Sequence, residues 1–371
     1  MILIIFEKNI NMTMDYNNIL DMIVENVKPI SGNKRYWLIR TQGGELFDTF
    51  YENNFVGLDH QAISLGELSV LRTRYLDDFK FHSAIKEAVT DFYTEDLETG
   101  EKSLADRTIT LIANQIYKFY RQVKKGDIVI IPSYSSTKVA FGEVLESNIA
   151  SFNEGELRQF DHSIQFLNKR VKWIKEFDRR DLDPNIFKMF TAHQAINEVN
   201  KYAHVIERTL QDFFILDNKA HLIINVQQRA EINARGLFGL GNNFLDILDG
   251  VIAHLEIEGV DTNDFQVEVN INSRGKIDLK SLSKKGTVIA LITLSVFGGG
   301  FEYGDFSLKT EGLVGFVQAV GNAISDYKDR EQTRNMQVQI FNEYKRKLDV
   351  KNVDDMIKVM KQIDENKDKP K

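Results

Sequence analysis

The chain has 371 residues, 43% of them apolar, enough for two domains with cores of their own. Its net charge is −7 and acids outnumber bases in both halves, which excludes a protein that coats nucleic acid through bulk charge and leaves only a local basic patch. There is no cysteine, which excludes disulfides, thiolate zinc sites and a cysteine nucleophile and fits a reducing cytoplasm.

The N-terminal apolar run "MILIIF" stops at Glu7 with no basic region before it, so it does not read as a signal peptide. Residues 14–28 read as a short helix with Ile19, Leu20, Ile23 and Val27 on one face. "YWLIRT" reads as a strand, "GELFDTFYEN" as a helix and "FVGL" as a second strand. Ser64 and Glu67 form a capping-box pair that opens another helix. Residues 104–122 read as a helix, with Leu104, Ile109, Ile112, Ile116 and Phe119 near helical spacing. "GDIVIIPS", "KVAFGEVLES" and "NKRVKWIKEF" read as three more strands, giving a mostly antiparallel set. The stretch 60–125 is then an insertion that either covers a pocket or extends a groove.

Thr191 and Gln194 form a second capping box, expected to open a linker helix over 191–214. "HLIINVQ" reads as a strand, and "ARGLFGLGNN" as a glycine-rich turn before a helix. "FQVEVNI" alternates cleanly and "IDLKS" can return as its hairpin partner. An apolar helix follows at Thr287–Phe297, too short for a bilayer span of about 20 residues. Another helix runs from about Glu311 into a charged stretch reaching Val350. Val353, Met356, Ile357, Met360 and Ile363 form an amphipathic stripe in the tail. The expected division is an N-terminal extension (1–33), a first domain (34–190), the linker helix (191–214), a small α+β domain (215–350) and the tail (351–371).

Three segments in order, "YWLIRTQGGELFDTFYENNFVGLDH", "VKKGDIVIIPSYSSTKVAFGEVLES" and "NKRVKWIKEF", resemble the PUA-like/EVE superfamily, which includes YTH domains. Within it the segments most resemble the N-terminal domain fused to Mrr-type restriction proteins. The resemblance covers roughly residues 34–190. It departs at "FVGLD", where Asp59 stands in place of an aromatic. It implies an α+β fold built on a partly open β-barrel with inserted helices. It also implies nucleic-acid binding, with a base, including a modified one, flipped into a pocket. An extruded base gains stacking on aromatic faces and is read along its edges by hydrogen bonds. Trp37, Tyr134 and Trp173 are the stacking candidates; Asp59, Ser133 and Ser135 are placed to read a base edge; Arg40, Lys138, Arg170 and Lys172 to meet phosphate. Trp37 and Trp173 also suit core positions, and Gly43-Gly44 also suits a plain turn into a helix.

The second half offers less chemistry. A restriction-type nuclease needs two carboxylates and a lysine around Mg2+. Asp264, Asp278 and Lys280 line up that way, but Asp278 and Lys280 equally fit the solvated face of an amphipathic strand. "GLFGLG" lacks the Rossmann spacing and a P-loop lysine. The seven histidines form no H-x-x-x-H pair, and "SYSS" lacks a nucleophile-elbow setting. Residues 215–330 loosely resemble the small effector-associated domains of bacterial defence proteins.

The expectation is a cytoplasmic, non-catalytic sensor needing no cofactor, with no stable transmembrane span. It binds DNA or another nucleic acid and signals or self-associates through its C-terminal half, in phage defence or restriction. The alternatives are a divalent-metal nuclease using Asp264, Asp278 and Lys280, and a nucleotide-gated, oligomerising or membrane-active effector.

Overall fold

The runs Tyr36–Ile39 and Ile128–Pro132 have no polar face, and every residue in both is buried. Strands of that kind need cover on both sides. In the computed structural model, which describes residues 29–59, 62–95, 104–149, 166–211, 213–225, 234–264, 266–270 and 276–282 and two isolated positions, 339 and 342, these runs lie mid-sheet. The fold is α+β. Its first sheet is a curled half-barrel of six strands: β1 (Tyr36–Ile39), β2 (Phe55–Asp59), β3 (Ile128–Pro132), β4 (Lys138–Val144), β5 (Phe166–Asp178) and β6 (Ile196–Glu198), in the order β2-β5-β4-β3-β1-β6. The β1–β3 pair is parallel and every other pair antiparallel.

The curl follows from β5. Its first residues pair with β2 and its later ones with β4, and the β4 register shifts between Phe141 and Gly142. A Cβ on Gly142 would lie 2.3 Å from Val171 and 2.7 Å from the Trp173 ring, so only glycine fits under this bend.

One face of the sheet (Trp37, Ile39, Val129, Ile131, Ala140) packs on four helices: α1 (Phe47–Glu52), α2 (Leu65–Arg74), α3 (Asp78–Glu95) and α4 (Asp106–Tyr117). Phe50, Leu68, Phe81, Ile85, Ile109 and Ile116 supply their buried stripes. The Ser64–Glu67 capping box forms, with Glu67 N–H donating to Ser64 Oγ at 3.2 Å and Ser64 N–H to Glu67 Oε2 at 2.7 Å. The 60–125 insertion therefore serves mainly as the layer that closes this face.

The opposite face (Tyr36, Leu38, Ile128, Ile130, Phe141) is covered by a 3-10 helix, Pro184–Thr191, and by α5 (Ala203–Leu210). This corrects the linker helix expected over 191–214. Thr191 Oγ1 donates back to Lys188 O, closing the 3-10 helix, and Ile196–Glu198 joins β1 as β6. Buried Glu207 then fixes α5 to the sheet, accepting from Tyr36 Oη at 2.5 Å and pairing with Lys34 Nζ at 2.7 Å. Burial, then the Glu207 charge, raise the Tyr36 phenol far above its ordinary pKa. Arg208 and Asp183 pair on the same face. The first compact unit accordingly spans 31–210, past the expected boundary at 190.

The second unit takes the described residues outside that span. It contains a four-stranded antiparallel sheet, β7 (Phe213–Leu216), β8 (Lys219–Asn225), β9 (Gln266–Asn270) and β10 (Lys276–Leu282), ordered β7-β8-β10-β9. The β7–β8 hairpin turns on Asp217 and Asn218, at φ 50° and 59°, the paired positive angles a two-residue hairpin needs. The expected β9–β10 hairpin is present. The expected glycine-rich turn is not: Gly236, Gly239 and Gly241 lie inside α6 (Ala234–His254), which buries Phe244, Ile247, Leu248 and Val251. The readings at 14–28, Thr287–Phe297, 311–350 and 353–363 lie outside the described residues. Among the described residues, no helix is long and apolar enough to cross a membrane.

Asp127, immediately before β3, is buried and accepts three N–H donors: Trp37 Nε1 at 2.9 Å, Arg35 N at 3.1 Å and Lys124 N at 2.8 Å. Both tryptophans lie in the 31–210 unit, so their fluorescence follows its unfolding. Asp127→Ala is expected to lower stability by about 2–4 kcal/mol in a urea transition read this way, since each orphaned donor costs about 1–3 kcal/mol. Lys138→Ala, at an exposed position, is expected to stay within about 0.5 kcal/mol of wild type.

Lys169 gives a pH prediction. It is fully buried on β5, and burial, reinforced by Lys124, lowers its ammonium pKa from 10.5 to about 8. Below pH 8 both states carry the proton. Above it the folded state releases the proton first, so stability rises with pH until the unfolded value is reached. Wild type is expected to gain stability relative to Lys169→Met between pH 8 and 10.5; parallel urea series across that range check it.

Candidate functional site

Strands β1, β3 and β5 run in one direction, so their C-terminal ends share one rim of the sheet. Three exit segments converge there: Arg40–Gly44 after β1, Ser133–Ser136 after β3, and Arg179 after β5. The 3-10 helix Pro184–Thr191 returns across the same rim. Together they enclose a cavity of about 450 Å³, lined chiefly by Arg40, Thr41, Ser133, Arg179, Phe187 and Phe190, with Gly43, Gly44, Pro132, Ser135, Ser136 and Thr191 completing the wall. That volume is in the range of small-molecule sites, roughly 300–1,000 Å³.

The walls are tied to each other. Buried Thr41 donates its Oγ1 hydrogen to Pro132 O at 2.5 Å, joining the β1 and β3 exits. Gly44 makes the closest approach: at φ +114°, a Cβ there would sit 2.2 Å from Tyr134 N. The glycine pair, which in the sequence suits either a pocket wall or a plain turn, is part of the cavity wall. Ser135 and Ser136 both hold positive φ, 51° and 52°, which costs on the order of 1 kcal/mol or more per residue. Such strain persists where the surroundings fix it; here Thr137 N–H donates to Tyr134 O, and Arg179 Nη1 to Ser135 O at 3.3 Å.

Arg40 Nη1 donates to Phe190 O at 3.4 Å, and the Arg179 guanidinium lies 4.4 Å from the Phe187 ring centre. The Phe187 and Phe190 ring centres are 6.5 Å apart, with their planes inclined at 29°. No carboxylate lines the cavity, and among the described residues neither arginine forms an ion pair. The cavity thus holds two formal positive charges beside aromatic faces and hydroxyls.

Of the residues singled out in the sequence, Arg40, Ser133 and Ser135 come together here. Tyr134 stands on the same turn but is 75% exposed and is not part of the lining. Trp37 is corrected to a core residue: it is fully buried with its indole N–H on Asp127, so no base can reach its face. Trp173 is partly buried against the helical face, its ring 5.3 Å from Tyr51. Lys138 pairs with Glu176 at 2.9 Å and Arg170 lies 3.6 Å from Glu146; exposed Lys172 sits opposite Glu143, away from the cavity. Asp59 ends β2, opposite Phe166.

Thr41, Arg179, Phe187 and Phe190 were not anticipated. The signals that carry them are the Arg179-Arg180 pair directly after the last long strand and the Phe187/Phe190 spacing, which puts both rings on one side of a three-residue helical turn.

In the second unit, Asp278 is not on a solvated strand face as expected. It is fully buried, both carboxylate oxygens lie 3.2 Å from His221 Nδ1, and Lys280 Nζ is 3.9 Å away. The Phe214 ring stacks on His221 at 4.6 Å. Asp264 ends a short 3-10 turn before β9.

No protein-family model, curated protein or solved structure matches the chain.

The glycine geometry separates two substitutions. Gly43→Ala meets open space and is expected to cost about 1–2 kcal/mol for its positive φ alone. Gly44→Ala adds a backbone collision with Tyr134 and is expected to cost clearly more. Urea transitions of both variants check the order.

Proposed function

We propose that residues 31–210 are a PUA-like, EVE-like reader that holds one nucleotide unit of a nucleic acid in the Arg40–Arg179 cavity, without catalysing a reaction on it. The observation that carries this reading is two guanidiniums uncompensated by any lining carboxylate, next to a pair of neighbouring phenylalanine rings. Guanidiniums suit phosphate oxygens through charge-assisted, bidentate hydrogen bonds. Aromatic faces suit a base, at about 1–3 kcal/mol per stacked base. The Ser135 hydroxyl and the backbone of the glycine turn provide edge contacts. The half-barrel sheet and the three sequence segments that resemble EVE and YTH domains support the same reading.

In this reading the second unit signals or assembles when the reader is occupied, and the setting in phage defence or restriction follows the family resemblance. A free nucleotide fits the same chemistry, since the cavity has room for one unit; this is the nucleotide-gated alternative.

Binding of full-length protein to short single strands and duplexes, with and without modified cytosine or adenine, tests the proposal. Wild type is expected to bind at low salt, with affinity falling as salt rises. Arg40→Gln/Arg179→Gln is expected to bind at least about tenfold more weakly, from the loss of two charged hydrogen bonds of about 1.5–3 kcal/mol each. Lys172→Gln, on β5 opposite Glu143 and outside the lining, is expected to change affinity much less. No binding to any polymer at low salt would overturn the reader; binding of mononucleotides alone would replace it with the nucleotide-gated alternative.

A further inference from the structure

At the opposite end of the same sheet, where β3 begins and β4 ends, there is a second cavity of about 390 Å³. Its chemistry comes from Arg72 on α2, Tyr120, Arg121 and Lys124 after α4, and Ser147 after β4. β4 spans seven residues, so at about 3.3 Å per residue the two cavities are separated by roughly 20 Å. We infer that this second cavity is an anion site for a phosphate group, independent of the first.

Three cations line it and no acid does. Asp78 stands beside it and holds two of the three in place, its Oδ1 accepting from Arg121 Nε at 2.9 Å and from Arg72 Nη1 at 3.3 Å. One carboxylate between two guanidiniums leaves one unit of positive charge there, and Lys124 adds a second. Lys124 is half-buried and forms no ion pair among the described residues; its backbone N–H is fixed by Asp127. Burial, and then the Arg121 charge, depress its pKa, with Asp78 acting in the opposite sense.

Of the other nearby acids, Asp127 is held by its three N–H donors and its charge faces buried Lys169 as well as Lys124, while Glu146 lies 3.6 Å from Arg170. Ser147 Oγ accepts from Lys125 N–H at 3.1 Å, leaving the hydroxyl hydrogen to donate, and buried Lys169 donates to Ser147 O. A tetrahedral oxyanion supplies the charge this cavity lacks and several acceptors for arginine, lysine and hydroxyl donors. A carboxylate offers fewer acceptors, and a cation is repelled.

The test uses the full chain carrying Arg40→Gln/Arg179→Gln, so that phosphate held in the first cavity does not contribute. Acetylation of Lys124 is followed by mass spectrometry with inorganic phosphate, with a thymidine oligonucleotide, and with neither; phosphate affinity is measured by calorimetry with and without Lys124→Gln. Slowing of Lys124 labelling by phosphate, with affinity falling about tenfold in Lys124→Gln, is the expected result. Protection by the oligonucleotide as well assigns a phosphodiester backbone; protection by inorganic phosphate alone assigns a small free ligand. Labelling unchanged by both, or phosphate affinity indifferent to Lys124→Gln, overturns the site. Because the first cavity is disabled throughout, its failure as a reader and the failure of this site are read separately.

Discussion

The Asp127 carboxylate is the constraint on which the first unit depends. It stands one residue before β3 and takes N–H donors from Arg35 and Trp37 of the β1 segment and from Lys124 of its own turn. A buried carboxylate is tolerated only when its oxygens are so occupied. Here the occupation also sets geometry: it fixes the start of β1 beside the start of β3, and Tyr36 pairs with Ile128 in the parallel register that follows. A parallel pair puts both C-terminal ends on one rim. Without that, the Arg40–Gly44 and Ser133–Ser136 segments would leave the sheet at opposite ends and enclose nothing.

The burial of the sheet then decides where chemistry can reside. Four helices cover one face, and a 3-10 helix with α5 covers the other. On β1 and β3 neither face is left for a ligand, which is why Trp37, on a strand, is core while Arg40, one residue past the strand, lines a cavity. The strand ends are what remain. Each has a cavity bordered by arginine, and each is organised by a side chain that bridges two exits: Thr41 to Pro132 at one end, and Lys169 of β5 to Ser147 of the β4 exit at the other.

Local signals were legible in the sequence and long-range ones were not. The five strands from Tyr36 to Asp178, the Ser64–Glu67 cap and the β9–β10 hairpin follow from spacing over a few residues, and all form. Thr191 and Gln194 show the limit. The same residue types suit a capping box, but Ile196 gains more by pairing with Ile39 inside the core than a helix turn would give it. Gly236, Gly239 and Gly241 mislead in the opposite direction. Their poor helix propensity is outweighed by the Phe244, Ile247, Leu248 and Val251 stripe that the same helix buries. Of the cavity, Arg40 and the two serines were visible because they flank recognisable strands. Arg179, Phe187 and Phe190 leave only a basic pair and a three-residue aromatic spacing as local signals, and their meeting with Arg40 depends on how the chain folds back after β5.

The net charge of −7 does not argue against phosphate binding in the two proposed cavities; it limits how such binding would work. At physiological ionic strength a charge is screened beyond about 8 Å, so distant surface carboxylates have little effect inside either cavity. What acts there is the local balance, and both linings contain arginine with no carboxylate among them. An acidic exterior also gives no long-range pull on a polyanion. Binding as proposed would therefore come from contacts made at close range in the cavity walls, which favours discrimination between ligands over indiscriminate coating of nucleic acid. Rigid walls are what such discrimination requires, and the Asp127 hub, the Thr41–Pro132 tie and the close approach of Gly44 to Tyr134 supply them.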